Sequence, residues 1–337
     1  MKVLVTGGAG FIGSHLVRRL LSDKHKVSVI DNFATGRREN INSIIPEITL
    51  FEADIRNLDS LIHICKVHKF DYIFHLAALP SVARSLKEPA ETNSANITGT
   101  LNILMAAKET GVKRVIFSSS SSVYGDNPKL PKKEIMKPSP ISFYALTKLT
   151  GEKYCKLFTD LYGLETISLR YFNVFGERQD PDSEYSAVIP LFIKSVLEDK
   201  QPLIYDDGSQ KRDFTYVGNV VQANILAMRS TFKKQRVFNI SFGKKRSVNS
   251  VLENIYNLLS KKFSAKYTKT RLGDIKNSDA DISRARKVLG YKPLVNFEDG
   301  LKRTIEYYND RRNLTFKNKY MKAVRQIDRQ GRWRQRR

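Results

Sequence analysis

Short apolar runs that stop at glycine or aspartate alternate along this chain with longer segments whose apolar residues recur every three or four positions. The first run, Lys2-Val-Leu-Val-Thr6, meets a glycine cluster, after which Ile12, Leu16, Leu20 and Leu21 mark one face of a helix. Lys26-Val-Ser-Val-Ile30 ends on Asp31, and similar runs lie at Ile48 to Phe51, Tyr72 to Leu76, Val115 to Ser118 and Thr166 to Leu169. Strands this continuously apolar are buried on both faces. Alternation with helices then predicts an α/β architecture, a doubly wound parallel sheet with right-handed crossovers on each side.

The alternation weakens after Phe175, where Pro181, Pro190, Pro202, an Asp206-Asp-Gly-Ser209 turn and an amphipathic stretch from Val248 to Leu259 follow. The expected organisation is a dinucleotide-binding (Rossmann) domain over residues 1–175 and a smaller α/β substrate-binding part over 176–310, some of it returning to the sheet. Residues 311–337 hold eleven Lys or Arg and one acid, Asp328, and read as a basic tail. The favoured reading of that tail is a solvated terminus. The sharper one is peripheral docking on an anionic surface, and no nucleic-acid-binding motif accompanies it.

The chain has 337 residues, 41% of them hydrophobic and 10% aromatic, enough for a large core. Its formal charge of +24 fits an anionic substrate, nucleic acid, an acidic surface or compositional bias alike. No apolar run is long enough for a membrane span, and the apolar stretch from Val3 to Leu21 lacks the leader and cleavage site of a signal peptide. Cys65 and Cys155 lie far apart without metal-ligand spacing. A cytoplasmic protein with reduced thiols and no metal is expected.

Chemistry concentrates at the ends of the predicted strands. Gly7, Gly10 and Gly13 sit between the first strand and the first helix, where a turn, a close backbone approach to pyrophosphate and tight helix packing each exclude a side chain. Asp31, ending the second strand, can accept both hydroxyls of an adenosine ribose and would repel a 2′-phosphate, which favours NAD over NADP. Arg37 and Arg38 point the other way but read as surface charges, and Asp54 is a candidate adenine contact. Tyr144 and Lys148, four apart, share a helix face, and a cation beside a phenol favours the phenolate needed to take a proton from a sugar hydroxyl. Ser118 to Ser122 follow a predicted strand on the edge where open sheets hold their ligands.

Over about residues 1–310 the motifs TGGAGFIGSH, DNFATGRREN, HLAA, SSSSSVYGD, YALTK, RYFNVFG and RDFTYVGNV together resemble the NAD-dependent epimerase and dehydratase branch of the extended short-chain dehydrogenases. The resemblance implies that Ser120 and Tyr144 share the substrate hydroxyl while Lys148 also holds the nicotinamide ribose. It further implies that NAD is lined by Phe11, Ile12, Asn32, Ile55, Leu76, Ala77, Ala78, Asn96, Ser118 and Tyr171. By the same similarity a UDP-sugar meets Arg84, Ser121, Asn173, Ala187, Val188, Ile189, Tyr205, Arg212, Arg271 and Asp274, with the arginines on the diphosphate.

Family dehydratases carry an Asp-Glu pair, and decarboxylases a Glu, before the Val-Tyr-Gly, where this chain has Ser121 and Ser122. Hydride acceptor, phenolate and serine suffice for 4-epimerisation. Ser278, at a position where tyrosine narrows the sugar pocket in many relatives, leaves room for an acetamido group, so UDP-N-acetylglucosamine is the expected substrate. Alternatives are UDP-glucose, a glucuronate-type sugar met by Lys276, Arg84 and Arg246, or a non-catalytic NAD-binding module. The family also implies a homodimer through helices near Asn96 to Lys108 and Tyr144 to Leu161.

Overall fold

The computed structural model of the protein describes residues 1–183, 186–231, 237–269 and 277–312. Its main sheet runs through β1 (Lys2–Thr6), β2 (Lys26–Ile30), β3 (Ile48–Phe51), β4 (Tyr72–His75), β5 (Arg114–Ser120), β6 (Glu165–Tyr171) and β7 (Val237–Ile240). All the pairings are parallel, in the spatial order β7-β6-β5-β4-β1-β2-β3. The order reverses between β1 and β4, so crossovers leave those neighbours in opposite directions and open a crevice at the strands' carboxyl ends.

Alternation along each strand feeds both faces. Val3 and Val5 pack with α1 (Phe11–Ser22) and α8 (Val217–Arg229) in one core, whereas Leu4 joins α2 (Leu58–His68), α5 (Gly99–Glu109) and α6 (Phe143–Tyr162) in the other, the short α3 (Val82–Lys87) and α4 (Pro89–Asn93) preceding α5 in the chain. A third core lies outside the sheet, where Phe192 and Ile193 of α7 (Val188–Leu197) meet Leu252 and Ile255 of α9 (Val248–Leu258) and Phe297, Leu301 and Ile305 of the helical residues 297–312. The chain after residue 175 contributes to both bodies. It supplies this outer core, and it returns α8, β7 and α10 (Ser283–Leu289) to the sheet layer.

A small sheet joins Lys211–Asp213 to the antiparallel Lys245–Ser247 on one side and the parallel Asn277–Ser278 on the other. Its register sets Ser278 opposite Arg212, and Arg246 opposite Arg212 from the far side. No helix of the described residues is long and apolar enough to cross a membrane.

Candidate active site

A cavity of about 1240 Å³ occupies the crevice. That exceeds the roughly 300–1,000 Å³ of a single small-ligand pocket and suits a dinucleotide together with a second nucleotide. Among the described residues its lining cations outnumber its carboxylates eight to four, a balance suited to two diphosphates.

The first turn shows why glycine recurs. Gly7 has φ +72°, and a Cβ there would lie 2.7 Å from the backbone N of Ala77. A Cβ on Gly13 would lie 2.0 Å from the Gly7 carbonyl oxygen, so α1 can start this close to β1 only without a side chain. Gly10 caps α1 in extended backbone and no side chain occupies the cap, which leaves the first amides of the helix for a phosphate.

Asp31 is fixed at the end of β2. One carboxylate oxygen accepts the Ala9 N–H at 2.8 Å, the other that of Phe33 at 2.9 Å, and each oxygen keeps a further lone pair for a ribose hydroxyl. Burial raises the Asp31 pKa, and the two backbone donors partly offset the rise. Asp54 follows β3, accepts from Asn32 Nδ2 at 3.0 Å and pairs with Arg56 at 2.6 Å. The Arg56 hydrogen bonds are the main reason its carboxyl is held down to about 2. These features fit NAD: a cradle that any Cβ would fill, amides facing it, and a carboxylate oriented for the ribose.

β4 and β1 end on a shared hydrogen-bond relay. His75 bonds Thr6 Oγ1 at 2.8 Å through one ring nitrogen and Thr100 Oγ1 at 2.9 Å through the other. Burial first, and Lys148 second, depress the imidazole to about 3, so it is neutral. The relay fixes the start of the Leu76–Leu79 loop, whose Leu76, Ala77 and Ala78 line the cavity.

α6 carries the acid–base pair. Ser142 caps its N-terminus by accepting the Ala145 N–H at 3.1 Å, and Tyr144 and Lys148 follow one turn apart on the cavity side. Lys148 Nζ donates to the Ser118 carbonyl at 2.7 Å and lies 5.9 Å from the Tyr144 ring centre. Burial lowers Lys148 to about 8. It raises Tyr144, and a hydrogen bond with the Ser120 side chain pulls the phenol partly back. One turn beyond Lys148, buried Glu152 accepts from Ser119 Oγ at 2.5 Å and pairs with buried Arg170 at 2.6 Å. The end of β5 is thereby tied to α6 at Ser118 and Ser119, with Ser120 beside Tyr144.

Of the expected cofactor residues, Gly7, Gly10, Phe11, Ile12, Gly13, Asp31, Asn32, Asp54, Ile55, Leu76, Ala77, Ala78, Ser118, Tyr144, Lys148 and Tyr171 all line this cavity. Asn96 does not. Its amide is spent beneath the loop, accepting the Leu79 N–H at 2.8 Å and donating to Thr147 Oγ1 at 3.1 Å, which makes it a brace. On the substrate side Arg84, Ser120, Ser121, Asn173, Ala187, Arg212 and Ser278 line the cavity.

Val188 and Ile189 are not among the lining residues: α7 starts at Val188, and its turn carries Ile189 into the outer core. Tyr205 is exposed on the short strand Leu203–Tyr205, where alternation turns Ile204 inward. Arg271, Asp274 and Lys276 lie outside the described residues. Arg246, a candidate contact for an acidic sugar, is occupied with Glu298 and stacks 4.6 Å from the Phe297 ring centre.

Sequence reasoning missed part of the lining. The loop Phe33 to Arg37 covers the Asp31 end, and Arg178, Gln179, Asp180, Ser183 and Ser186 reach the cavity from the segment after β6. The sequence signal for them is the polar run Glu177 to Asp180 directly after Gly176. The lining carboxylates Asp31, Asp54, Glu91 and Asp180 are all near the β2–β3 edge or tied to it: Glu91 through Arg56, and Asp180 through Arg37. Ser120, Ser121 and Ser122, at the end of β5 and in its following turn, line the cavity with Tyr144.

A family model described as NAD dependent epimerase/dehydratase family matches residues 3–241. A UDP-glucose 4-epimerase of Mycolicibacterium smegmatis is 37% identical over 314 residues, covering 92% of this chain and 99% of its own. The solved UDP-N-acetylglucosamine 4-epimerase of Methanobrevibacter ruminantium M1, in complex with UDP-N-acetylmuramic acid, is 44% identical with a TM-score of 0.88, over 92% of this chain and 98% of its own. A UDP-glucuronic acid 4-epimerase of Bacillus cereus, solved with UDP-glucuronic acid and NAD, is 34% identical with a TM-score of 0.85, over 92% and 99%.

Proposed function

The chain belongs to the NAD-dependent epimerase/dehydratase family, and from that premise we propose that it interconverts the C4 epimers of a UDP-hexose, with UDP-N-acetylglucosamine and UDP-N-acetylgalactosamine as its preferred pair. The observation that carries the reaction type is the run Ser120-Ser121-Ser122 lining the cavity with Tyr144, while among the described residues each lining carboxylate either follows β2 or β3 or is paired with an arginine from those loops. Elimination of water or loss of carbon dioxide needs further acid–base groups at the sugar. An epimerase needs one proton acceptor and a hydroxyl donor to steady the same oxygen.

Tyr144 takes the proton of the C4 hydroxyl while Ser120 holds that oxygen, and Tyr144 returns the proton after the sugar has turned over within the site. Lys148 supplies the positive charge that makes the phenolate accessible near neutral pH. NAD, when bound, supplies the acceptor and donor of the C4 hydrogen. Arg212 and Arg84 grip the diphosphate, so the nucleotide stays in place while the 4-keto sugar rotates. Ser278 supports the acetamido preference: it lines the cavity, and the strand register sets it opposite Arg212, one residue across from the grip.

The partner proposed alongside is a second copy of the chain. Phe143, Leu146, Leu157 and Leu161 of α6 are exposed, as is Met105 on α5, which packs against α6. An apolar stripe of this length on paired helices marks an interface.

The test is to incubate purified protein with UDP-N-acetylglucosamine, add no NAD, and separate the UDP-sugars by chromatography, with UDP-glucose and UDP-glucuronate in parallel. Formation of UDP-N-acetylgalactosamine is the expected result. Conversion of another sugar alone would overturn the substrate assignment, and no conversion of any, even with NAD added, would overturn the reaction.

A further inference from the structure

Arg37 lines the cavity together with Asp31, the carboxylate that would repel a 2′-phosphate on the adenosine ribose, and Arg38 follows it in the chain. The structure shows what restrains them. Arg37 donates its backbone N–H to the Ala9 carbonyl at 3.1 Å, while the Ala9 N–H donates to Asp31 at 2.8 Å, so Arg37 and Asp31 are both bonded to the backbone of Ala9. Gly36 presses against the same carboxylate, since a Cβ there would lie 2.7 Å from Asp31 Oδ1. The Arg37 guanidinium is nevertheless bonded to Asp180, 2.6 Å from its Oδ2.

Asp180 comes from the segment after β6 and lines the same cavity, and its position is fixed independently of Arg37. Its other oxygen accepts the Asp182 N–H at 2.9 Å, and its carbonyl accepts Ser186 Oγ at 2.6 Å. The second arginine is held too: Arg38 stacks 4.2 Å from the Phe33 ring centre and bonds Glu52, just after β3.

We infer that Asp180, supported by Glu52 on the neighbouring arginine, is a coenzyme-specificity residue: it withholds Arg37 from the adenosine ribose and keeps a latent 2′-phosphate site closed. Repulsion by Asp31 is then half of the selectivity. The other half is attraction denied, because an arginine beside the ribose forms charge-assisted bonds to phosphate wherever no carboxylate has claimed it. The inference rests on the family's cofactor and not on the choice of sugar, so it survives or falls separately from the epimerase assignment.

The experiment exchanges full-length protein against equimolar NAD and NADP, removes free nucleotide, releases the bound fraction with acid and resolves it by chromatography. In Asp180→Asn the ratio of bound NADP to NAD should rise roughly tenfold, the scale of one gained charge-assisted contact. Asp180→Asn combined with Arg37→Gln should return it to the starting ratio, and Arg37→Gln alone should leave it unchanged. Asp180→Ser carries the same comparison should the amide variant fail to fold. An unchanged ratio in a folded Asp180 variant would overturn the proposal. So would a rise that persists without Arg37, or equal loss of both nucleotides, which would make the pair a general clasp.

Discussion

Replacing Lys148 by methionine removes the one cation that faces the Tyr144 ring from its own helix, while keeping a side chain of similar length in the buried channel. The ammonium lies 5.9 Å from the ring centre. With an effective dielectric of about 20, unit charges at that separation interact by about 2.8 kcal/mol, or roughly two pK units on the phenol. The phenolate fraction near pH 7, and kcat with it, should therefore fall about a hundredfold. The loss must depend on pH, and its sign follows from the lysine itself. Burial lowers Lys148 to about 8, so the wild-type group is charged below that pH and loses its charge above it. The gap between wild type and variant should be full at pH 6 to 7 and close as pH rises past about 9. Initial rates of epimerisation across that range, with bound NAD quantified in each preparation, give the answer. A gap of equal size at every pH would refute the electrostatic role and leave Lys148 as a ribose ligand or a structural tie to Ser118.

Tyr144→Phe should lower kcat by roughly 10²–10⁴ with NAD content unchanged; turnover close to wild type would remove Tyr144 as the base. Ser278→Tyr should depress conversion of UDP-N-acetylglucosamine at least about tenfold relative to UDP-glucose, measured as a ratio of kcat/KM values. Gly13→Ala sets a methyl 2.0 Å from the Gly7 carbonyl, so the turn must open. Overpacking of about 1–3 kcal/mol should appear as a lower melting temperature together with loss of co-purified NAD. Leu157→Glu with Leu161→Glu should shift the protein to a monomer in size-exclusion chromatography with light scattering, and an unshifted peak would place the interface elsewhere.

The sheet was legible because its first strands are short, continuously apolar runs, with β1 ending before Gly7 and β2 before Asp31. Lys26–Ile30 and Ile48–Phe51 have the limits their apolar runs suggest, whereas Arg114–Ser120 and Glu165–Tyr171 extend further, since polar residues at strand ends face the crevice or a buried partner such as Glu152. β7 carried no such mark. Val237–Ile240 is a short run in a part of the chain without alternation, and only its pairing with β6 makes it a strand of the main sheet. The site followed the same rule. Residues at strand ends and helix starts were readable from spacing, but the Arg37–Asp180 pair joins positions 143 residues apart, and no local pattern announces it. Ile189 and Tyr205 are not among the lining residues for local reasons: the start of α7 carries Ile189 into the outer core, and strand alternation leaves Tyr205 exposed.

The neutral imidazole at the junction of β1 and β4 has a practical consequence for every experiment above. His75 is held between two threonine hydroxyls and takes up a proton only near pH 3, as does His15, which burial depresses first of all and which bonds the Glu177 carbonyl at 2.8 Å. Histidine is the side chain that ordinarily titrates in the range where enzymes are assayed, and at these two load points of the scaffold it is silent. These two imidazoles therefore keep one protonation state from mildly acidic to alkaline buffer. A bend in a pH–rate curve there comes from other groups: those that handle the sugar, or Asp213 beside Arg212, a carboxyl that burial pushes up to about 7.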